Sequence, residues 1–279
     1  MRARLPLWAV EFVMFGLKMA WACLFSGLLL AAIILSALFW PEGATLARYD
    51  ALTLFALLVQ GLMLYFRLES WREAKVILLF HVTGTAMEIF KLQMGSWSYP
   101  EAGLLMLGGV PLFSGFMYAS VGSFIARAIR LFDMTFVGYP PMRWAIVLAL
   151  AIYINFFAHH YIWDARYLLM LATLVLFGRV TIRFTPMRRQ MRLPMVLSAA
   201  FAAFFLYVAE NIGTLSGTWI YSGEGKFAFT DPAKMGSWYL LLFVSFVQVT
   251  LVCRDVLLQR KGLMNELEIP AHHGSGQRP

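Results

Sequence analysis

The sequence has 279 residues, 61 % of them hydrophobic and only 14 % charged, with a mean hydropathy of +0.70; a water-soluble domain is nearer about a quarter charged. Its net charge of +8 is read as orientation against a bilayer, because nucleic-acid binding would call for an aqueous basic patch interleaved with aromatic residues. The two cysteines, Cys23 and Cys253, lie in apolar runs and provide neither a disulfide framework nor a paired thiol ligand.

The start, MRARLPLWAVEFVMFGLK, lacks a clean apolar core followed by a small-residue cleavage site, so it is read as retained. A helix needs about 20 apolar residues to cross roughly 30 Å of hydrocarbon. Runs of that length, ended by charge, Pro or Gly, predict eight transmembrane helices at about 19–39, 51–67, 76–94, 110–128, 143–161, 165–183, 194–214 and 236–254. The expected fold is all-α: a polytopic helical membrane protein, one transmembrane domain over 1–260. Residues 261–279, ending in the polar EIPAHHGSGQRP, are expected to be a disordered cytoplasmic tail in which His272 and His273 are incidental.

Lys and Arg near the membrane are retained in the cytoplasm. In the eight-span register eighteen of them fall on one side, among them Arg2, Arg4, Lys18, Arg67, Lys75, Arg127, Arg130, Arg188, Arg189, Arg192, Arg254, Arg260, Lys261 and Arg278. Four (Arg48, Arg166, Lys226 and Lys234) fall on the other, and Lys91 lies within the third span. Both termini are therefore expected in the cytoplasm, with the chain in a bacterial inner membrane and the lipid bilayer as its first partner.

EIFKLQMGSWSY, from Glu88 to Tyr99, recurs as ENIGTLSGTWIY, from Glu210 to Tyr221. Glu, Gly at +7, a small hydroxyl residue at +8, Trp at +9 and Tyr at +11 repeat at an offset of 122 residues, which also maps the third and fourth spans onto the seventh and eighth. The pattern predicts a four-plus-four duplication, halves 1–122 and 123–254. The offset covers an even number of spans, so the halves are expected to run parallel about an axis along the membrane normal. Gly95 and Gly217 would let the chain turn out of each helix.

A charged side chain at bilayer depth costs about 2.5 to 3.5 kcal/mol even on a lenient scale. Glu88, about 18 Å up its span, and Glu210, about 24 Å up its own, are therefore candidates for chemistry, or else a buried tie between helices with Lys91 and Asn211 as partners. Trp97, Tyr99, Trp219 and Tyr221 read either as interfacial aromatics or as substrate contacts. The fifth span ends in NFFAHHYIWDAR, where Asn155 and His159, and His160 and Asp164, are each four apart on one helix face. His159, His160 and Asp164 could shuttle protons, hold a divalent metal such as Zn, Mn or Fe, or simply be interfacial polar groups. His81, seven residues before Glu88 with Thr85 between, could orient a polar track.

The stretches FHVTGTAMEIFKLQMGSWSYPEAG, GVPLFSGFMYASVGSF, NFFAHHYIWDAR and AENIGTLSGTW closely resemble the YoaT-type bacterial membrane proteins over nearly the whole chain. A fainter likeness covers one helical hairpin: Glu88, Gly95-Ser-Trp97-Ser-Tyr99 and Gly109-Val-Pro111 resemble membrane carotenoid hydratases, which implies an isoprenoid substrate. Three functions are then open. One is an enzyme on an apolar, isoprenoid-like lipid, with Glu88 as acid and Glu210, His159, His160 or Asp164 as base; Trp97, Tyr99, Asn155, Asn211, Trp219 and Tyr221 would contact substrate. The second is a proton- or cation-coupled transporter, for which breaks at Gly84, Gly108-Gly109 or Gly213 would be the sign. The third is a metal-dependent membrane hydrolase. No nucleotide loop, Ser-centred elbow or CxxC is present, and the sequence requires no cofactor.

Overall fold

The computed structural model describes residues 6–223, 225 and 228–253. The proposed tail at 261–279 and six of the basic residues counted for orientation, together with Lys226, lie outside them.

Each of the eight predicted positions holds a helix: α2 (Leu24–Phe39), α3 (Arg48–Tyr65), α4 (Trp71–Gln93), α5 (Phe113–Leu131), α6 (Met142–Ala158), α7 (Arg166–Phe177), α8 (Met195–Leu215) and α9 (Ala233–Val252). The chain adds α1 (Leu7–Ala22) ahead of them, bent by 67° against α2 at Cys23. Among the described residues α4, α8 and α9 are long and apolar enough to cross a membrane, and the bent α1–α2 pair makes up to four. This is a helical membrane protein. α7, with 12 residues, is only about 18 Å long, because Gly178 leads its chain out into a strand well before the expected end at 183.

Successive helices alternate between two ends of the molecule, and the connections show which end each reaches. At one end the segment after α4, β1 (Trp97–Ser98), pairs with β7 (Ile220–Tyr221) after α8, while β2 (Met106–Leu107) and β3 (Val110–Pro111) form a hairpin before α5. At the other end β4 (Thr135–Val137), β5 (Thr181–Phe184) and β6 (Met191–Pro194) make an antiparallel sheet that closes the gaps α5–α6 and α7–α8. These short strands are additions to the all-helical expectation; two to four residues are too few to show a period-2 pattern in sequence.

α4 begins at a capping box: the Ser70 hydroxyl accepts from Glu73 N–H, and the Glu73 carboxylate accepts from Ser70 N–H. The main apolar core, including Phe80, Ile125, Ile152, Phe177, Ala203 and Phe243, is shared by α4 to α9, and a second one joins α2, α3 and α5 around Phe25, Tyr49 and Phe113. Both α4 and α8 run unbroken through Gly84 and Gly213, so these glycines do not break helices as the transport reading required. They admit close neighbours instead. A Cβ on Gly84 would stand 2.6 Å from the Tyr118 side chain, and one on Gly213 would overlap the Trp219 ring.

At the strand-sheet end charged groups are paired. Arg127, fully buried, meets Glu69 at 2.6 Å, and the Ser123 hydroxyl and Gln60 amide also donate to Glu69. Glu11 of α1 accepts the backbone N–H groups of Met187, Arg188 and Arg189 in the β5–β6 loop. Lys18 donates to the carbonyls of Leu131 and Thr185.

Candidate functional site

The two repeated motifs fold in the same way. After α4 the chain closes a Schellman turn: Gly95 N–H bonds to Leu92 C=O and Ser96 N–H to Lys91 C=O, each 3.0 Å. After α8 the same turn is made by Gly217 N–H to Thr214 C=O at 3.0 Å and Thr218 N–H to Gly213 C=O at 3.1 Å. Gly95 and Gly217 sit at φ +66° and +64°, a conformation in which a Cβ is strained. The chain therefore reverses at +7, and the residues at +9 and +11 lie back beside the glutamate that precedes them.

That return places Trp97 Nε1 2.9 Å and the Tyr99 hydroxyl 2.7 Å from Glu88 Oε2, both donating. In the second copy Trp219 Nε1 and the Tyr221 hydroxyl donate to Glu210 Oε1 at 3.0 and 2.5 Å. The glutamates are 3 % and 7 % exposed; a buried carboxylate needs such donors to offset lost hydration. The aromatics are thus part of each acid's cradle and not free-standing interfacial anchors.

The two cradles also touch. β1 and β7 pair antiparallel with Trp97 opposite Tyr221 and Ser98 opposite Ile220. At the 122-residue offset of the repeat Ser98 faces its own counterpart, Ile220, and Trp97 faces Tyr221, the counterpart of Tyr99, a register with local two-fold symmetry about the Ser98–Ile220 pair. Ser222 N–H donates to Ser96 C=O at 3.1 Å, and the Ser222 hydroxyl bonds to Gly95 C=O.

Glu88 and Glu210 line one cavity of about 420 Å³, together with Trp97, Tyr99, Tyr118, Asn155, His159, Arg166, Trp219, Tyr221, Lys234 and Trp238. Tyr118, which sequence reasoning missed, gives Glu88 its third bond, hydroxyl to Oε1 at 2.7 Å; the one signal for it is Gly84, a turn before Glu88, which makes room for that ring. Asp231 at the start of α9 lines the cavity as well and accepts from Ala233 N–H at 2.8 Å.

Other candidates are occupied elsewhere. Asn211 bonds through Oδ1 to Thr230 N–H and through Nδ2 to Tyr207 C=O, which positions the segment before α9. Asn155 Nδ2 donates to Asp164 Oδ1 at 3.0 Å, and its Oδ1 accepts from Ala165 N–H, locking the α6–α7 loop. Asp164 also accepts from Arg166 N–H and pairs with the Arg166 guanidinium at 3.3 Å. Burial works to raise the Asp164 carboxyl, but the Asn155 and Arg166 hydrogen bonds and the Arg166 charge outweigh it and hold the group below the usual aspartate range.

Lys91 Nζ lies 3.1 Å from His159 Nε2 and 2.8 Å from His160 Nε2. His159 Nδ1 is 3.0 Å from Asn155 C=O, so that nitrogen carries the proton and Nε2 accepts from Lys91; this tautomer follows from the hydrogen-bond pattern. Burial, then the Lys91 charge, then His159 push the exposed His160 below the usual histidine range. Among the described residues no group of three or more His, Cys, Asp or Glu side chains is placed to hold a metal ion. His159 and His160 turn their Nε2 lone pairs to an ammonium and Asp164 faces Asn155 and Arg166, so this donor set does not fit the metal site considered for them. His81 and Thr85 both lie against Gly115 of α5.

Residues 11–246 match the family described as "Protein of unknown function (DUF817)". The chain is 39 % identical over 240 residues to "Uncharacterized protein YoaT" of Bacillus subtilis (strain 168), spanning 86 % of this chain and 90 % of that one. Among solved structures, the mycobacterial Insig homolog MvINS from Mycobacterium vanbaalenii aligns with a TM-score of 0.49 at 12 % identity, over 66 % of this chain and 95 % of that chain. A cross-linked trimer form of MvINS aligns with the same TM-score and coverage at 11 % identity. The resemblance to YoaT carried by the two Glu-to-Tyr motifs thus holds along most of the sequence: the chain belongs to the DUF817 family.

Proposed function

We propose that this protein is a membrane enzyme that adds water to a carbon–carbon double bond of an apolar, isoprenoid-like lipid, with Glu88 as the acid and Glu210 as the base. The supporting observation is the pair of buried glutamates, each in its own Trp–Tyr cradle, lining one cavity. Glu88 gives its proton to one alkene carbon; the π electrons form the new C–H bond and leave a cation on the neighbouring carbon. Aromatic rings around the cavity stabilise that cation. A water oxygen attacks it while a Glu210 oxygen takes the water's proton, and return of that proton to Glu88 resets the site. Tyr118, whose hydroxyl both gives and accepts, is placed to shuttle protons at Glu88 Oε1.

In this reading all eight helix positions cross the membrane, α7 with help from its flanking segments, and both ends are cytoplasmic in a bacterial inner membrane. The basic residues of the β4–β5–β6 end support that orientation. The four-plus-four duplication is supported by the matching Schellman turns and the local two-fold axis between the cradles. That symmetry also favours a second reading, a proton-coupled transporter, although α4 and α8 lack the breaks such sites use. Lipid and pigment profiles of a deletion strain, complemented with wild type or Glu88→Gln, separate the two. The enzyme reading expects an unsaturated lipid to accumulate and its hydrated form to vanish in both the deletion and the Glu88→Gln strains. An unchanged lipid profile with altered uptake of a solute would replace it with transport.

A further inference from the structure

The chemistry above leaves Lys91 unused. It lines the cavity, it is 4 % exposed, and its hydrogen bonds go to two imidazoles; among the described residues no carboxylate pairs with it. The Phe156 ring centroid lies 4.3 Å from the same Nζ, a cation–π contact that leaves the charge without an anionic counter-ion. A buried cation without a counter-ion is costly. The acids on the same cavity already have neutral donors: Glu88 has Trp97 and Tyr99 of its own motif and Tyr118 of α5, Glu210 has Trp219 and Tyr221, and Asp231 has Ala233 N–H.

The helices also grade from cation to hydrocarbon in the same direction. Along α4, Met87 and Gly84 line a smaller apolar crevice, Glu88 comes next, and Lys91 lies one turn, about 4.5 Å, further out. Along α9, which runs the opposite way, Lys234 lies in the first turn, Trp238 and Leu241 border both spaces, and Leu242 and Val244 lie in the crevice. Arg166 joins the outer end of the cavity, giving one bond to Asp164.

Resting on the enzyme reading, we propose that the substrate is an amphiphile with an anionic headgroup, phosphate or carboxylate. Lys91 and Arg166 hold the headgroup, and the apolar chain runs inward past Glu88 toward Tyr118 and Trp238. The one-turn offset sets the specificity: the double bond that Glu88 protonates lies within a few bonds of the headgroup, and the crevice marks the direction in which the chain leaves.

The test is calorimetric titration of the purified full-length protein in a neutral detergent with dodecyl phosphate, dodecanoate, dodecanol, dodecyltrimethylammonium and inorganic phosphate. Dodecyl phosphate or dodecanoate should bind at least about tenfold more tightly than the neutral and cationic chains, roughly the worth of one charge-assisted contact. Lys91→Met and, in case that variant folds poorly, Arg166→Gln should each remove most of that preference, whereas Glu88→Gln should keep it. Equal binding of anionic and neutral chains, or preference for the cationic one, would overturn the headgroup assignment and leave the role of Glu88 standing. Inorganic phosphate binding as tightly as dodecyl phosphate would make this a site for a free anion and overturn the amphiphile. Anion preference in a protein whose lipid product does not depend on Glu88 would instead sink the proton-transfer reading alone.

Discussion

Tyr118 is set by a glycine on another helix. A methyl group at Gly84 would press on its ring from 2.6 Å, so Gly84→Ala should displace the Tyr118 hydroxyl from Glu88, with a loss of activity out of proportion to the loss of stability. Tyr118→Phe keeps the ring and removes the bond, and should cost about 1 kcal/mol of stability while reducing turnover; thermal unfolding beside lipid assays reads both. Full activity in both variants would remove Tyr118 from the site. At this scale the acids were legible in the sequence, because two glutamates inside apolar runs are expensive and recur with the same neighbours. The use of Trp and Tyr at +9 and +11 was legible only in outline. Spacing shows that they recur, and it takes the reversal at Gly95 and Gly217 to show that they return to their own glutamate. Tyr118 left only the indirect sign of Gly84, since its partner is 30 residues away and it belongs to neither copy of the repeated motif.

Elements meet through ties that composition hides. The Arg127–Glu69 pair joins α5 to the segment before α4 where both side chains are 1 % exposed, and breaking such a pair from one side costs about 3 to 5 kcal/mol. Glu69→Gln should therefore unfold at a markedly lower temperature; an unchanged midpoint would mean that the pair is dispensable. In sequence Arg127 read as an orientation signal alone, and Glu69 did not stand out. The α6–α7 connection responds to pH in two ranges. Asp164 is held below its ordinary value, so its contribution is complete above about pH 3.9 and is lost only as pH falls through the lowered value. His160 is also lowered, which for a histidine means that the unfolded chain takes up its proton first, so stability declines as pH drops below about 6.5. Protection factors of the amides across residues 159–165, with the intrinsic pH dependence of exchange removed, should fall as pH drops from about 7 to 5 and fall less in His160→Asn. A flat profile in the wild type would show that the Lys91–histidine cluster is no acid-sensitive contact.

For the whole molecule, the alternation of helices between two ends carries the topology. Reporter fusions at Gly103 and near Arg188 should report outside and inside respectively, and a reversal at either place would overturn the orientation. The eight helix positions were legible because hydropathy is a long-window signal. The contact between the cradles was not: strands of two residues carry no pattern, and only folding brings Ser98 opposite Ile220. Directly opposed residues of an antiparallel pair have Cα atoms about 4.5 to 5.5 Å apart, within the range a disulfide spans, so Ser98→Cys with Ile220→Cys should cross-link within one chain under mild oxidation.

If the paired glutamates add water to a lipid, the oxygen of that water stays in the product. The protein, purified and reconstituted in vesicles, is incubated with the lipid extract of its deletion strain in water enriched in heavy oxygen, and products are read by mass spectrometry. With wild type one lipid should gain one labelled water, and with Glu88→Gln none should. A Glu88→Gln protein that incorporates label at the wild-type rate, or a wild-type protein that incorporates none from any extract, would contradict water addition by this pair.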